Sequence, residues 1–166
     1  MIIPNPQPQI RRATLDDAGA IAALTDAAYT KFIPRIGRKP LPMTADYAKM
    51  IAENPVWLLT QEDQAIGVIV LIHEPEQMLI YSVAIHPAHQ KQGLGRRLLA
   101  WAETQALEHG YTSIRLYTNA RFEENIQLYE QIGYAETGRE PMGNGSTVVY
   151  MAKPLAASPL GAHPQP

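Results

Sequence analysis

The chain has 166 residues, of which 46% are hydrophobic, a net charge of −2 and no cysteine. The length and apolar share suit one globular domain, and the charge balance excludes a global basic field for nucleic acid or an acidic membrane. The missing cysteines exclude disulfides, thiolate metal sites and a cysteine nucleophile, and they fit a cytoplasmic setting.

Residues 1–8 read as a proline-stiffened lead-in. The opening "MIIPNPQPQI" has no basic region ahead of an apolar stretch, so no secretory signal is expected. "QIRRAT" predicts a short strand that opens a single domain over residues 9–155. Thr14 starts a helix: "TLDD" has the capping-box form, with Asp17 three residues after the hydroxyl, and Ile21, Leu24 and Ala28 follow at helical spacing. Lys31 to Met43 carries three prolines, a glycine and four cations, and predicts irregular chain. "TADYAKMIAE" predicts a second helix, capped by Thr44 and stopped before Pro55.

Three strands follow. "VWLLTQ" leads to a turn at "EDQ". "AIGVIVLIHE" is nearly all apolar, as suits a strand buried on both faces, and its run over 65–72 is too short to cross a membrane. "MLIYSVAI" ends at His86-Pro87. A helix from Gly93 to His109 places Leu94, Leu98, Leu99, Ala102 and Ala106 on one stripe and stops at Gly110. "SIRLYT" is a strand and "ENIQLYEQIG" a helix ending at Gly133. "YAETGRE" and "STVVYMAKP" close as an antiparallel pair. Residues 156–166 are small, polar and proline-rich, which predicts a flexible tail. The order β-α-α-β-β-β-α-β-α-β-β is that of a mixed α/β sheet, flanked by helices, with one helix-linked parallel step.

The stretch Gln90-Lys91-Gln92-Gly93-Leu94-Gly95 follows a buried strand and opens an amphipathic helix. The first N–H groups of a helix lack internal partners, and the helix dipole adds positive charge there. Glycine lets a phosphate approach them without a Cβ in the way, and Lys91, Arg96 and Arg97 add charge. This suits a pyrophosphate; the alternative is a strand-to-helix turn with glycines for geometry alone. A dinucleotide fingerprint is disfavoured because Leu98 stands where a third glycine belongs, and a P-loop is excluded because no G-K-[ST] follows.

With its flanks, "SVAIHPAHQKQGLGRRLLAWAE" resembles the coenzyme A motif of the GNAT superfamily of N-acetyltransferases. Val83, Ile85 and Pro87 match the strand ending, and Gln90, Gly93 and Gly95 match [QR]-x-x-G-x-[GA]. "LYTNARFEENIQLYEQIGYAETGRE" is similar to the family's second half, with Asn125, Tyr129, Gly133 and Tyr134 in place.

The resemblance implies a mostly antiparallel central sheet that splays at its parallel strand pair. It implies acetyl-coenzyme A as co-substrate, with pantetheine against the main chain of Val83, Ala84 and Ile85. The pyrophosphate then lies on the amides from Gln92 through Gly93, Leu94 and Gly95 to Arg96, beside Gln90 and Lys91. Tyr129 becomes the acid that protonates the departing thiolate, and Asn125 either holds the cofactor or caps the helix. A core aromatic is the alternative for Tyr129. The acceptor is a primary amine of a small molecule or peptide, walled by Tyr29, Phe32, Ile33 and Tyr81 and attacking the thioester directly. A backbone N–H near Val83 would stabilise the developing oxyanion.

No acid occupies the strand around Tyr81 and Ser82 where some relatives carry a base. Glu74 and His73 are the nearest candidates, and no base is assigned. His86 and His89 lack a third ligand, so no metal is expected. Lys31, Arg35, Arg38 and Lys39 either favour an acidic acceptor or form a solvated loop. The closing strands offer an edge for a homodimer. A non-catalytic acyl-coenzyme A-binding module and a protein N-terminal acetyltransferase stand as alternatives.

Overall fold

The computed structural model describes residues 6–156. The expected tail thus lies outside the described residues except for Ala156, as does the lead-in before Pro6. The first strand, β1 (Gln9–Arg12), runs into the capping box. The Thr14 N–H donates to Asp17 Oδ2 at 2.8 Å, and Arg11 grips both Asp17 oxygens at 2.8 Å. The box closes a single 3₁₀ turn that leads into α1 (Ala18–Tyr29), which buries Ile21, Leu24 and Ala28.

The Arg11 hydrogen bonds hold the Asp17 carboxyl down at about 2. A carboxyl depressed in the folded state stabilises above its unfolded pKa, near 4, and that contribution fades as pH falls through the folded value. Arg11 is half exposed, so solvent screens its pair with Asp17, and the bond from the Thr14 N–H adds to it. Asp17→Ala is expected to cost about 1 kcal/mol at pH 7, roughly 2–4 °C in Tm. The gap from the parent protein should close between about pH 4 and pH 2. Thermal melts over that range check this, and equal Tm values at pH 7 would refute it.

The segment expected to be irregular is instead a chain of short helical turns. A 3₁₀ turn at Thr30–Phe32 leads into α2 (Ile33–Ile36), closed by Gly37 at φ +73°, and another 3₁₀ turn spans Leu41–Thr44. Its prolines do not forbid this, because Pro34 and Pro42 sit in the first turn of their elements, where the missing N–H has no partner to lose. Thr44 does not cap the next helix. Its hydroxyl donates to Leu41 O, and Asp46 caps α3 (Tyr47–Glu53) by accepting from the Lys49 N–H at 3.1 Å.

The remaining strands are β2 (Val56–Gln61), β3 (Gln64–His73), β4 (Met78–Ile85), β5 (Ser113–Asn119), β6 (Ala135–Pro141) and β7 (Thr147–Pro154). Two residues, Glu62 and Asp63, both at positive φ, make the β2–β3 turn. Helix α4 (Leu94–Glu108) crosses from β4 to β5, and α5 (Glu123–Ile132) leads from β5 to β6. The seven strands lie in the order β1-β2-β3-β4-β5-β7-β6. Every neighbouring pair is antiparallel except β4 with β5, which the crossover through α4 makes parallel.

The sheet separates two apolar layers. Ile69, Leu71, Leu98, Leu99, Ile114 and Met151 fill one, on the α4 side, and Ile21, Leu24, Val56, Leu58, Val68 and Val70 fill the other, on the α1 side. Both faces of β3 are therefore buried from Ile66 to Leu71, as its continuous apolar run predicts. Gly67 interrupts that run for a packing reason. A Cβ there would lie 2.8 Å from Ile85 Cδ1 and 3.2 Å from Leu98 Cδ1, so its absence lets the end of β4 and the start of α4 settle onto the sheet.

Candidate active site

Strands β4 and β5 pair only from Met78↔Ile114 to Ile80↔Leu116. Beyond that point β5 stays on β7 through Asn119 while β4 stays on β3 through Ile85, and the sheet opens between them. The His86 N–H donates to Ile66 O on the β3 side, so the main-chain groups of Val83 and Ile85 face the gap. Side chains take their carbonyls: the Tyr29 hydroxyl donates to Val83 O at 3.1 Å, and Gln90 Nε2 donates to Ile85 O at 3.0 Å. Their N–H groups have no strand opposite them.

The chain then turns through two left-handed residues, Lys91 at φ +66° and Gly93 at φ +78°, before α4 begins at Leu94. Such turns bring successive N–H groups to one concave side. Gly93 is the N-cap and offers no side chain to the first amides of α4. Gly95 differs from Gly93. Its φ is not left-handed, and a Cβ there would meet only Ile85 Cγ1, at an ordinary 3.9 Å. The fold alone therefore gives no reason for a glycine at 95, although glycine weakens a helix by up to about 1 kcal/mol relative to alanine. What the missing Cβ leaves open is the floor of a cavity.

That cavity, about 390 Å³, is bounded by the end of β4, the glycine turn, the start of α4 and α5. Every residue expected to bind the cofactor lines it except Gln92, which is exposed between the two left-handed residues. Lys31, Lys91 and Arg96 put positive charge on it, and Arg96 is braced by Gln131 Oε1 at 2.6 Å. Phe32, expected at the acceptor site, lines this cavity instead. The helical turns of residues 30–36 carry its ring inward to stack on Phe122, centroids 4.2 Å apart. Ile33 lines neither of the two cavities of this site.

A second cavity, about 240 Å³, lies on the other side of the opening. Tyr81 and β5 residues Leu116 to Asn119 wall it, together with Ile36, Arg38, the turn from Pro40 to Pro42 and the β6–β7 loop. The two cavities share four lining residues: Tyr29, Val83, Asn125 and Tyr129. Tyr129 is 8% exposed and stacks edge-on against Tyr134. Burial alone pushes its phenol up to about 12, with no hydrogen bond contributing. It is thus held protonated at the junction, with its proton uncommitted to any protein acceptor. Burial also raises Tyr29, which stays a donor to Val83 O. Asn125 sits in the first turn of α5 but does not cap it; the N-cap is Phe122.

Among the described residues no carboxylate or imidazole lines the second cavity. Glu74 lies elsewhere, with both oxygens bound by Arg115 at 2.6 and 2.7 Å, and His73 Nδ1 is 3.1 Å from the Tyr111 hydroxyl. His86 Nδ1 accepts from the Ala88 N–H, which ties it into the loop. Among the lining residues not foreseen are those of the β6–β7 loop, Met142, Asn144 and Ser146, and those of β5. Nothing local marks them: the loop stands more than a hundred residues from Arg38, whose Nη2 donates to Ser146 Oγ at 2.6 Å.

The model of the acetyltransferase (GNAT) family matches residues 21–134. A Bacillus subtilis protein, S-(2-succino)cysteine N-acetyltransferase, is 30% identical over 161 residues, which cover 90% of this chain and 97% of that relative. The solved PaiA N-acetyltransferase of Thermoplasma acidophilum, in complex with coenzyme A, superposes with a TM-score of 0.79 at 16% identity, covering 90% of this chain and 99% of that one. The Escherichia coli ribosomal-protein-S18-alanine N-acetyltransferase gives 0.75 at 19% identity, with 95% and 99% covered. At these identities the two solved structures bear on the fold. Among the described residues no helix is long and apolar enough to cross a membrane.

Proposed function

The chain belongs to the acetyltransferase (GNAT) family and is an N-acetyltransferase, and from that premise we propose that it acetylates the amine of a small molecule by direct attack on acetyl-coenzyme A. The reading is carried by the two cavities meeting at Tyr29, Val83, Asn125 and Tyr129. One has the form of a slot for an extended chain ending in a diphosphate, and the other that of a chamber for a compact acceptor. The B. subtilis relative is named for a cysteine derivative, which supports a metabolite as acceptor.

Acetyl-coenzyme A supplies a thioester whose C–S bond breaks as the C–N bond forms. The protein's part is to place the reactants and move one proton. The open N–H group of Ile85 pairs with an amide carbonyl of the pantetheine arm as a strand would. The first amides of α4 take the diphosphate, and Gly95 leaves room for it. The Val83 N–H faces the place where negative charge grows on the carbonyl oxygen. Tyr129 donates its proton to the leaving sulfur and is reprotonated from solvent, into which the amine's proton is lost.

With no carboxylate or imidazole beside the acceptor, the amine must arrive already neutral. The pH profile of kcat/KM, followed by thiol release, should therefore rise with an inflection at the acceptor's own pKa and shift when amines of different basicity are compared. Tyr129, raised to about 12, stays protonated and should add no falling limb below about pH 10. An inflection fixed near pH 6–7 for every amine would instead reveal a base on the enzyme. Absence of acceptor-dependent thiol release across an amine panel would remove the acetyltransferase reading.

A further inference from the structure

The acceptor cavity contains one formal charge. Among its lining residues there is no aspartate, glutamate, lysine or histidine, and Arg38 is the single ionised group. Of the other cations on the same segment, Arg35 pairs with Glu124 at 2.7 Å, Lys31 lies over the Phe32 ring on the cofactor side, and Lys39 lines neither cavity. Arg38 has no carboxylate partner among the described residues. Its one side-chain hydrogen bond goes to the neutral Ser146 hydroxyl, on a residue 6% exposed. Ser146 is itself fixed, because its N–H donates to Asn144 Oδ1 at 3.0 Å and its carbonyl accepts from the Met142 N–H. The guanidinium is therefore aimed by a braced neighbour while most of its five donors stay uncommitted.

We infer that the acceptor carries a carboxylate as well as its amine, and that Arg38 binds that carboxylate and sets acceptor specificity. This rests on the acetyltransferase reading and narrows its acceptor class. Tyr81 and Tyr117 line the same cavity, and neither phenol is committed to a protein hydrogen bond. Both are raised by burial and so remain donors, Tyr81 up to about 12. A cavity with a cation and phenolic donors but no acid complements a carboxylate. It opposes an acceptor with a second ammonium, such as a polyamine, which would bring like charge to Arg38 with nothing to neutralise it. The amine of a carboxylated acceptor then extends toward the junction at Tyr129 while its acid end stays by Arg38.

The test compares free amino acids with their methyl esters, and spermidine, by acetyl-coenzyme A-dependent thiol release, each rate corrected for the fraction of neutral amine. The expected result is a kcat/KM for the best acid roughly 10- to 100-fold above that of its ester, with spermidine weaker still. Arg38→Gln should erase that preference by raising KM for the acid alone, and Arg38→Lys should restore part of it. Calorimetric affinity for acetyl-coenzyme A should be the same in all three proteins. Acids and esters used equally well by the parent protein, a measurement that needs no variant, would overturn the carboxylate site and leave the acetyltransferase reading standing. Equal losses on acid and ester in Arg38→Gln would also overturn it. No thiol release with any amine would bring down both readings together.

Discussion

A Tyr129→Phe variant is expected to bind acetyl-coenzyme A within about two-fold of the parent protein and to lose roughly 10²–10⁴-fold in kcat. The two effects separate because the ring and the hydroxyl have different tasks. The ring packs edge-on against Tyr134 in the buried junction, and phenylalanine preserves that contact. The hydroxyl supports no protein hydrogen bond, so its loss strands no partner and Tm should hold or rise slightly. What disappears is the one proton donor common to both cavities that is not already spent, since the Tyr29 hydroxyl is held by Val83 O. Without it the sulfur must leave as a bare thiolate in an apolar setting. Steady-state thiol release beside calorimetric titration reads both quantities. An unchanged kcat would make Tyr129 a wall of the cavity and nothing more.

Much of this candidate site is legible in the sequence because it is built from main-chain geometry. A strand ending at Ile85, a left-handed glycine at 93 and a helix starting at once are local events, and Ile85 through Arg96 state them in twelve residues. The apolar run of β3 likewise states its burial on both faces. The second cavity is built the other way, by segments distant in the chain. Arg38 and Ser146 meet only because the helical turns after α1 and the β6–β7 loop converge, and no spacing in either segment encodes the other.

The same distinction explains Phe32. Read as part of a proline-rich loop it walls the acceptor; folded as a helical turn it stacks on Phe122 and stays beside Tyr29 on the side of the larger cavity. Asp46 outcompetes Thr44 as a cap because the Leu41–Thr44 turn already occupies the threonine hydroxyl. Gly67 carries no sequence signal beyond interrupting a strand, and its reason lies in Ile85 and Leu98 pressing on it from other elements.

The two glycines of the turn should respond in opposite ways to alanine. Gly93 has a backbone need: at φ +78° an alanine is strained, and Gly93→Ala should cost about 1 kcal/mol of stability. Gly95 has none, so Gly95→Ala should leave Tm unchanged or raise it, by up to about 1 kcal/mol of helix propensity. The added methyl group would nevertheless stand among the first amides of α4, where an anion must approach to hydrogen-bond distance. Each charge-assisted bond lost there is worth about 1.5–3 kcal/mol, so affinity for coenzyme A should fall roughly 10- to 100-fold. A protein that becomes no less stable and yet binds worse identifies a position kept for a ligand. Calorimetric titration and thermal melts of both variants decide the matter. If Gly95→Ala bound coenzyme A as tightly as the parent, the added methyl group would lie outside the diphosphate's path and the glycine at 95 would have no ligand reason.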